Sequence, residues 1–497
     1  MKRLFVLLLM SIILIPPQVL AQDTTSQKMT IQAGYGTVTM GGVQWQRFSF
    51  RPDIPVGNFG IGLDIELFID DKGKISKEGW DFSNKNQAWD TIIRKIYYLR
   101  YNRPLDRFYA RAGSLDDVTL GYGLVMDGYR NTLNYPADKK LGVDIALRDI
   151  GSFGIDIHAM INSVGDFKNK GAVMGVRVAA RPFKPTGTYL VDKLTFGVTF
   201  ARDINQFAGL KDSDDDGYPD FQDGFLDDGE KWEDSDGDGF EDGIDIDIDG
   251  DNILDTADPD IKRTDYINIE EKRNGVSVFG LDIGVPLIDS AVRLDLYGQY
   301  SQIHTGDENL DGGWGIGAPG LRLLVNRLKA QIEYRHFDGR FRPNYFDHLY
   351  EHERVTLVGN SIRTKEMNLP DEKLDGVFAG IGYNFFDMVS ASVRYQNMTG
   401  DRTYQDLIGK IAIHDRILQN VPKIALAEGY FYNTYVDSDR YELFDFTENT
   451  LYGTRIGFEL TPSLLIVWDT RYTFTPDGKG GLVKNRFVSI ETVMTVK

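Results

Sequence analysis

The stretch FGIGLDIELFID, residues 59–70, alternates in polarity: Ile61, Leu63, Ile65, Leu67 and Ile69 share one parity, and Gly62, Asp64 and Glu66 the other. Successive side chains of an extended strand point to opposite faces, so this spacing predicts a β-strand with one apolar and one polar side. The pattern recurs. In LKAQIEYR, Leu328, Ala330, Ile332 and Tyr334 oppose Lys329, Gln331, Glu333 and Arg335. In SAVRLDLYGQ, Val292, Leu294 and Leu296 oppose Arg293, Asp295 and Tyr297; in LLIVWDTRY, Leu464, Ile466 and Trp468 oppose Asp469 and Arg471. The polar face mixes both charge signs.

A soluble β-sandwich and a membrane barrel both produce such alternation, so the connections have to separate them. Joins are short at 149–152, 287–290, 325–328, 385–388 and 460–463. They are long near 71–90, 129–139, 163–170, 205–274, 305–313, 339–374, 399–406, 435–448 and 475–482, with a mid-length join at 183–191. Short turns on one rim and long loops on the other are the habit of a transmembrane barrel, whose strands run to about ten residues. Tyr97, Tyr101, Tyr383, Phe385, Tyr395, Tyr472 and Phe474 sit near strand ends, as interfacial girdles require. In hydrocarbon every backbone group must be paired, so the sheet is expected to close.

This pattern resembles Gram-negative outer-membrane β-barrel proteins, porin-like ones among them, over nearly the whole mature chain. The resemblance is architectural. It implies an all-β fold, a transmembrane antiparallel barrel of about 16–20 strands, with both termini in the periplasm. The strand number turns on FYARAGSLDDVTLGYGLV, residues 108–125, which reads either as continuous wall or as one strand plus a lumen segment. Such barrels commonly end in an aromatic residue, whereas this chain ends RFVSIETVMTVK, with Phe487 ten residues before Lys497.

The N-terminus agrees with export. Lys2 and Arg3 precede an apolar run from Leu4 to Ile15, then Pro16-Pro17 and Val19-Leu20-Ala21 before Gln22, the layout of a cleavable signal peptide over 1–21. The run is too short to span a bilayer as a helix. There is no cysteine, so neither a disulfide framework nor an acylated N-terminal Cys is available. The expected organisation is signal peptide 1–21, barrel strands 22–204, an acidic insertion 205–274 and barrel strands 275–497.

That insertion is the chain's second signature. The formal charge is −19, yet residues 212–260 hold 22 acids and one base, Lys231, leaving the remainder at +2. Acidity this local asks for a cation partner. No basic block of the kind nucleic-acid binding needs is present. Aspartates fall at Asp212, Asp214, Asp216, Asp220 and Asp223, at Asp234, Asp236, Asp238, Asp242 and Asp245, and at Asp247, Asp249, Asp251, Asp255 and Asp258. Each set obeys D-x-D-x-D-[GN]-x-x-D-x-x-D, with Gly217, Gly239 and Asn252 at the turn. Alternate carboxylates converge on a hard cation when the next residue reverses the chain in a left-handed conformation. Oxygen ligands without His or Cys select Ca²⁺. An EF-hand would need a Glu at the twelfth position, where Asp223, Asp245 and Asp258 stand. The pattern looks like thrombospondin type 3 repeats, and the resemblance makes these fifteen aspartates candidate calcium ligands. The insertion belongs to the long-loop series, hence to the extracellular side.

Two further motifs are weaker. HLYEH, from His348 to His352, fits an inverted zinc-peptidase signature but sits in a long segment that reads as an ordinary polar loop. GIGAPG, residues 315–320, has nucleotide-loop spacing without a βαβ unit and reads as a glycine-rich strand. The expected function is therefore a porin-like channel or transporter in the outer membrane, not an enzyme, with lipid, calcium and small solutes as partners. The alternative is a calcium-stiffened adhesion or partner-binding surface anchored by the barrel; an outer-membrane hydrolase comes third.

Overall fold

The computed structural model describes residues 30–496 apart from 41–42, 71–72, 74, 77–79, 81–87, 89–90, 93–94, 134–138, 169–170, 215, 227, 308, 359–360, 387, 414–423, 441, 462–463 and 477–480. The signal segment and the start at Gln22 lie outside the described residues.

The strands are β1 (Thr30–Met40), β2 (Val43–Val56), β3 (Phe59–Leu63), β4 (Ile65–Ile69), β5 (Ile96–Tyr101), β6 (Phe108–Gly113), β7 (Val118–Leu120), β8 (Met126–Tyr129), β9 (Gly142–Ile150), β10 (Ile155–Ile161), β11 (Val173–Ala180), β12 (Thr195–Asp203) and β13 (Val276–Asp289). They continue as β14 (Val292–His304), β15 (Gly313–Val325), β16 (Leu328–Gly339), β17 (Val355–Val358), β18 (Ser361–Thr364), β19 (Leu374–Phe385), β20 (Val389–Thr399), β21 (Thr403–Ile413), β22 (Ile424–Asp437), β23 (Thr450–Thr461), β24 (Leu464–Pro476) and β25 (Leu482–Val496). Two short helices, α1 (Val164–Lys168) and α2 (Tyr350–Glu353), lie in loops. Among the described residues no helix is long and apolar enough to cross a membrane.

One antiparallel sheet of 21 strands dominates; β7–β8 and β17–β18 are separate two-stranded ribbons. The stretch 59–70 forms β3 and β4, which succeed each other beside β2 and are divided at Asp64. Every other wall strand pairs with its neighbours in chain order, and β25 returns to pair with β1 from Ile31↔Val496 to Thr37↔Ile490. Counting β3 and β4 as one stave gives about twenty.

Antiparallel succession puts the connections at 57–58, 102–107, 151–154, 181–194, 290–291, 326–327 and 386–388 on one rim with both ends of the sheet's strand series. The opposite rim carries 70–95, 114–141, 162–172, 204–275, 305–312, 340–373 and 438–449. One expectation needs correcting: the join taken as long at 399–406 is a three-residue turn, because Thr399 pairs directly with Thr403 and the alternation resumes at once. The join near 183–191 is built from two 3-10 turns, Lys184–Thr186 and Val191–Lys193, and stays on the short-turn rim.

The two faces of the sheet differ in kind. Outward residues are apolar and exposed: Phe48 and Phe50 on β2, Phe196, Val198 and Phe200 on β12, Ile332 on β16 and Ile381 on β19, the last two at 54% and 56%. The inner face buries Arg47, Asp64, Glu66, Asp144, Asp282, Asp295, Glu333 and Arg335. Aromatic clusters mark strand ends, with Tyr101 against Phe59 and Phe108, Tyr383 against Phe385, and Phe446 stacked on Tyr452 and Phe474.

Candidate functional site

Two places carry chemistry: the acidic loop between β12 and β13, and the inner face of the sheet.

The acidic loop begins with a 3-10 turn, Gln206–Gly209, and then repeats one backbone design three times. In each repeat the first aspartate accepts the amide of the residue five places on: Gly217 to Asp212 at 2.9 Å, Gly239 to Asp234 at 3.0 Å, Asn252 to Asp247 at 3.0 Å. The third aspartate accepts the amide two places on, from Tyr218, Phe240 and Ile253 at 2.7, 2.8 and 2.7 Å. These bonds reverse the chain at Gly217, Gly239 and Asn252, whose φ values are +92°, +91° and +70°. Only residues that tolerate positive φ fit there, which is the reason the sequence places Gly or Asn at that position.

The reversal gathers carboxylates. Oxygens of Asp212, Asp214 and Asp216 lie within 4.8 Å of one another, as do those of Asp234, Asp236 and Asp238, and those of Asp247, Asp249 and Asp251. The remaining candidates brace the loop. Asp242 and Asp255 accept the amides of Ser235 and Ile248, and Asp220 accepts the Ser213 hydroxyl. Asp223, Asp245 and Asp258 each accept the amide two residues on. In the first repeat both Asp214 oxygens, Asp216 Oδ2, Asp220 Oδ1 and Asp223 Oδ2 are buried without a hydrogen-bond partner, and Asp247 Oδ1 and Asp249 Oδ1 are so in the third. Buried acceptors of this number need donors or a cation. Burial, reinforced by neighbouring aspartates, raises the Asp216 and Asp223 carboxyls above the usual range. The donor set fits a hard divalent ion. Tyr218 stacked on Trp232 at 4.4 Å, and the Ile269 amide bonded to the Gly217 carbonyl, tie the loop to its own return path.

On the inner face, charges pair with charges. Arg177 forks onto Asp282 at 2.6 and 3.0 Å, Arg322 and Arg293 both reach Asp295, Arg335 bonds Glu333 at 2.6 Å, and Arg51 and Lys139 hold Asp64. Against this lining pack two segments from the long-loop rim. The segment 114–133, including β7 and β8, bonds Gln299 of β14 through the Leu124 amide at 3.1 Å and stacks Tyr122 on Tyr297 at 4.1 Å. On its other side Asp127 pairs with Arg394 of β20, and the Leu133 carbonyl accepts from Arg471 of β24 at 2.6 Å. A segment bonded to β14, β20 and β24 crosses the space that the sheet encloses. Residues 108–125 are thus one wall strand, β6, followed by a lumen segment.

The second segment is the connection 340–373. It lies on the first, its Phe346 bridging to Met126, and their shared core contains Leu120, Val125, Tyr129, Phe341, Tyr345 and Tyr350. The reading of HLYEH as an ordinary polar loop is corrected here: α2 is buried, and its charges are matched internally. Arg354 bonds Asp203 and the Asn205 carbonyl; Glu351 accepts from Lys140 at 2.8 Å; Glu353 pairs with Arg342 and Lys365. His348 packs its ring on Tyr432 at 4.0 Å, and the described residues contain no acid or histidine cluster that would complete a metal site with His348 and His352. GIGAPG lies within β15, as a strand. Sequence reading missed Asp127, Glu351 and Arg354 as interior residues, because a charged loop carries no periodic signal of burial, and missed Asp203 at the end of β12.

No protein-family model matches the sequence, and no curated protein matches it. Solved structures similar to it include the outer membrane protein opdK from Pseudomonas aeruginosa, 7% identical over 94% of this chain and 97% of that one, with a TM-score of 0.33. The FrpB iron transporter from Neisseria meningitidis is 10% identical over 94% and 81%, with a TM-score of 0.36. OccAB4 from Acinetobacter baumannii is 10% identical over 94% and 97%, at 0.30. TM-scores this low assign nothing to the chain; its architecture rests on its own strand pairings.

Proposed function

We propose that the chain is an outer-membrane β-barrel passing small solutes through a lumen narrowed by its own segments, with calcium ordering an acidic loop on the outer surface. The observation that carries this reading is the inversion of faces: apolar side chains point outward around the sheet while ion pairs lie within. A soluble monomer rarely exposes apolar patches beyond a few hundred Å². In lipid the same belt is buried, and strand pairing that returns to its start leaves no edge unsatisfied. The rim with both ends of the strand series is then periplasmic and the acidic loop extracellular. There even a site of ~10⁻⁴ to 10⁻³ M affinity fills with calcium. Asp212, Asp214 and Asp216 and their counterparts in the other two repeats would hold the ions, which supply the positive charge that cross-links the loop.

A wet lumen favours a channel over a plain anchor. The inner side chains of Arg293, Arg394 and Arg455 keep 46%, 43% and 44% of their surface accessible. Planar-bilayer recording tests the reading: the intact protein should give small, discrete conductance steps. A variant with residues 117–128 replaced by a short Gly-Ser linker should conduct severalfold more. Silence from both folded proteins would overturn the channel. One observation favours the surface-binding alternative: Phe240, Ile244 and Ile246 in the acidic loop are 59%, 70% and 69% exposed. On that reading, calcium-dependent adhesion to cells or glycans replaces conductance.

A further inference from the structure

We propose that the inner surface around Tyr432 is a binding site for a small oxyanion, the carboxylate or phosphate group of a solute, held by Arg130, Lys410 and Arg471. The inference deepens the channel reading and rests on the lumen being open to water.

It starts from charge matching. Many cations that line or fill the lumen sit against acids: Arg51 and Lys139 on Asp64, Arg177 on Asp282, Arg322 on Asp295, Arg342 and Lys365 on Glu353, Arg354 on Asp203. Around Tyr432 this matching stops. Among the described residues Arg130 makes no hydrogen bond or ion pair, and its Nε is buried without a partner. Lys410, exposed on β21, has among the described residues only the Tyr432 ring, 5.4 Å away. Arg471 donates to the Leu133 carbonyl rather than to a carboxylate. Among the described residues the acids on the adjoining inner faces are Glu428, 3.8 Å from Arg455, and Asp469, two residues from Arg471 on β24. Setting Arg455 and Arg471 against these two acids leaves Arg130 and Lys410 uncompensated.

These groups converge. The charges of Arg130 and Lys410 both act on His348, whose ring lies 4.0 Å from Tyr432, and Tyr430 lies 5.6 Å from Tyr432 and beside Arg471. His348 is 7% exposed and its Nε2 has no partner. Burial, then those two cations, hold the imidazole neutral, so it can donate to an anion without adding repulsion for the arginine. Leaving the enclosed Arg130 Nε without a partner is costly, and an anion supplies both the acceptor and the counter-charge for the cations around it. A guanidinium fork matches a planar carboxylate or a phosphate, with the lysine as a point charge.

The test is calorimetry on the whole protein in detergent at low salt, with succinate and with inorganic phosphate. The wild type should bind at least one saturably, and the preference between them names the group recognised. The double variant Arg130→Gln with Lys410→Gln should weaken that binding by about ten-fold or more. Lys410→Gln alone changes an exposed side chain, keeps the fold, and should weaken it partially. No saturable binding of either anion to folded wild type, or equal binding by wild type and both variants, would overturn the site. Bilayer conductance separates it from the channel reading: saturable binding with silent bilayers would sink the channel and leave the site standing.

Discussion

Arg354 is fully buried, and its guanidinium bonds Asp203 of the wall, the Asn205 carbonyl at the foot of the acidic loop and the Gly171 carbonyl, with Glu351 beside it. Burial by itself would raise the Glu351 carboxyl; Lys140 and Arg354 outweigh it and lower the carboxyl from 4.5 to about 2. A depressed carboxylate stabilises the fold fully above its unfolded value and loses that contribution as pH falls through the folded one. Glu351→Gln should therefore lower stability by about 3 kcal/mol at pH 7, an advantage of the wild type that shrinks below pH 4.5 and vanishes near pH 2. Denaturant midpoints of both proteins across that range measure it. A constant difference down to pH 2 would mean that Glu351 acts through packing alone. Arg354→Leu should do more damage at neutral pH, because it strands the buried Asp203 carboxylate and leaves Glu351 with Lys140 alone as its cation.

At the scale of elements, the acidic repeats separate backbone from ligand. Gly239 has positive φ and nothing within 4 Å of the position a Cβ would take, so a side chain there meets strain and no clash. Gly239→Val should cost about 1–3 kcal/mol of local order and lower the calcium affinity of the second repeat about ten-fold or more, with every carboxylate retained. Asn252→Gly should leave the third repeat unharmed. Calorimetric titration of both variants decides, and equal affinities would show that the turn conformation does not govern binding. The turn was legible in the sequence since Gly or Asn after three alternate aspartates has one local explanation. Strands such as β12, β16 and β24 were equally legible, because one lipid-facing parity leaves an unbroken record. The segments 114–133 and 340–373 were not. Leu120, Leu124 and Val125 pattern like wall residues, and Arg342, Arg354 and Lys365 like solvent-facing ones: the Leu124 amide and Arg354 find Gln299 and Asp203, 175 and 151 residues away, and Arg342 and Lys365 meet on Glu353 at no helical or strand spacing. The anion-site cations were hidden for the same reason: an arginine's lack of a counter-charge is a property of its surroundings in space. TGDRT reads as a loop from its composition, yet the alternation on both sides of it continues into paired strands and leaves only a turn at 400–402.

For the whole molecule, the acidic loop and the wall are held by different forces, and that difference is measurable. The wall strands are joined through backbone pairing that returns from β25 to β1 and involves no carboxylate. The loop instead brings three groups of aspartates together, each with oxygens inside 4.8 Å, so without a cation their mutual repulsion opposes its fold. Removing calcium with a chelator should leave the β-sheet circular dichroism unchanged while residues 212–258 become open to protease. Replacing Asp234, Asp236 and Asp238 by Asn should lower the calcium stoichiometry without exposing the loop everywhere, because the first repeat keeps its enclosed oxygens. Protons compete for the same oxygens, and the raised carboxyls of Asp216 and Asp223 in the first repeat and Asp236 in the second favour release of the ions as pH falls. Mass-resolved proteolysis with calcium and with chelator, repeated at pH 7 and pH 5, reads all of this at once. Identical cleavage in the two conditions, with no saturable calcium uptake, would make the loop a self-solvating acidic spacer and leave the barrel reading untouched.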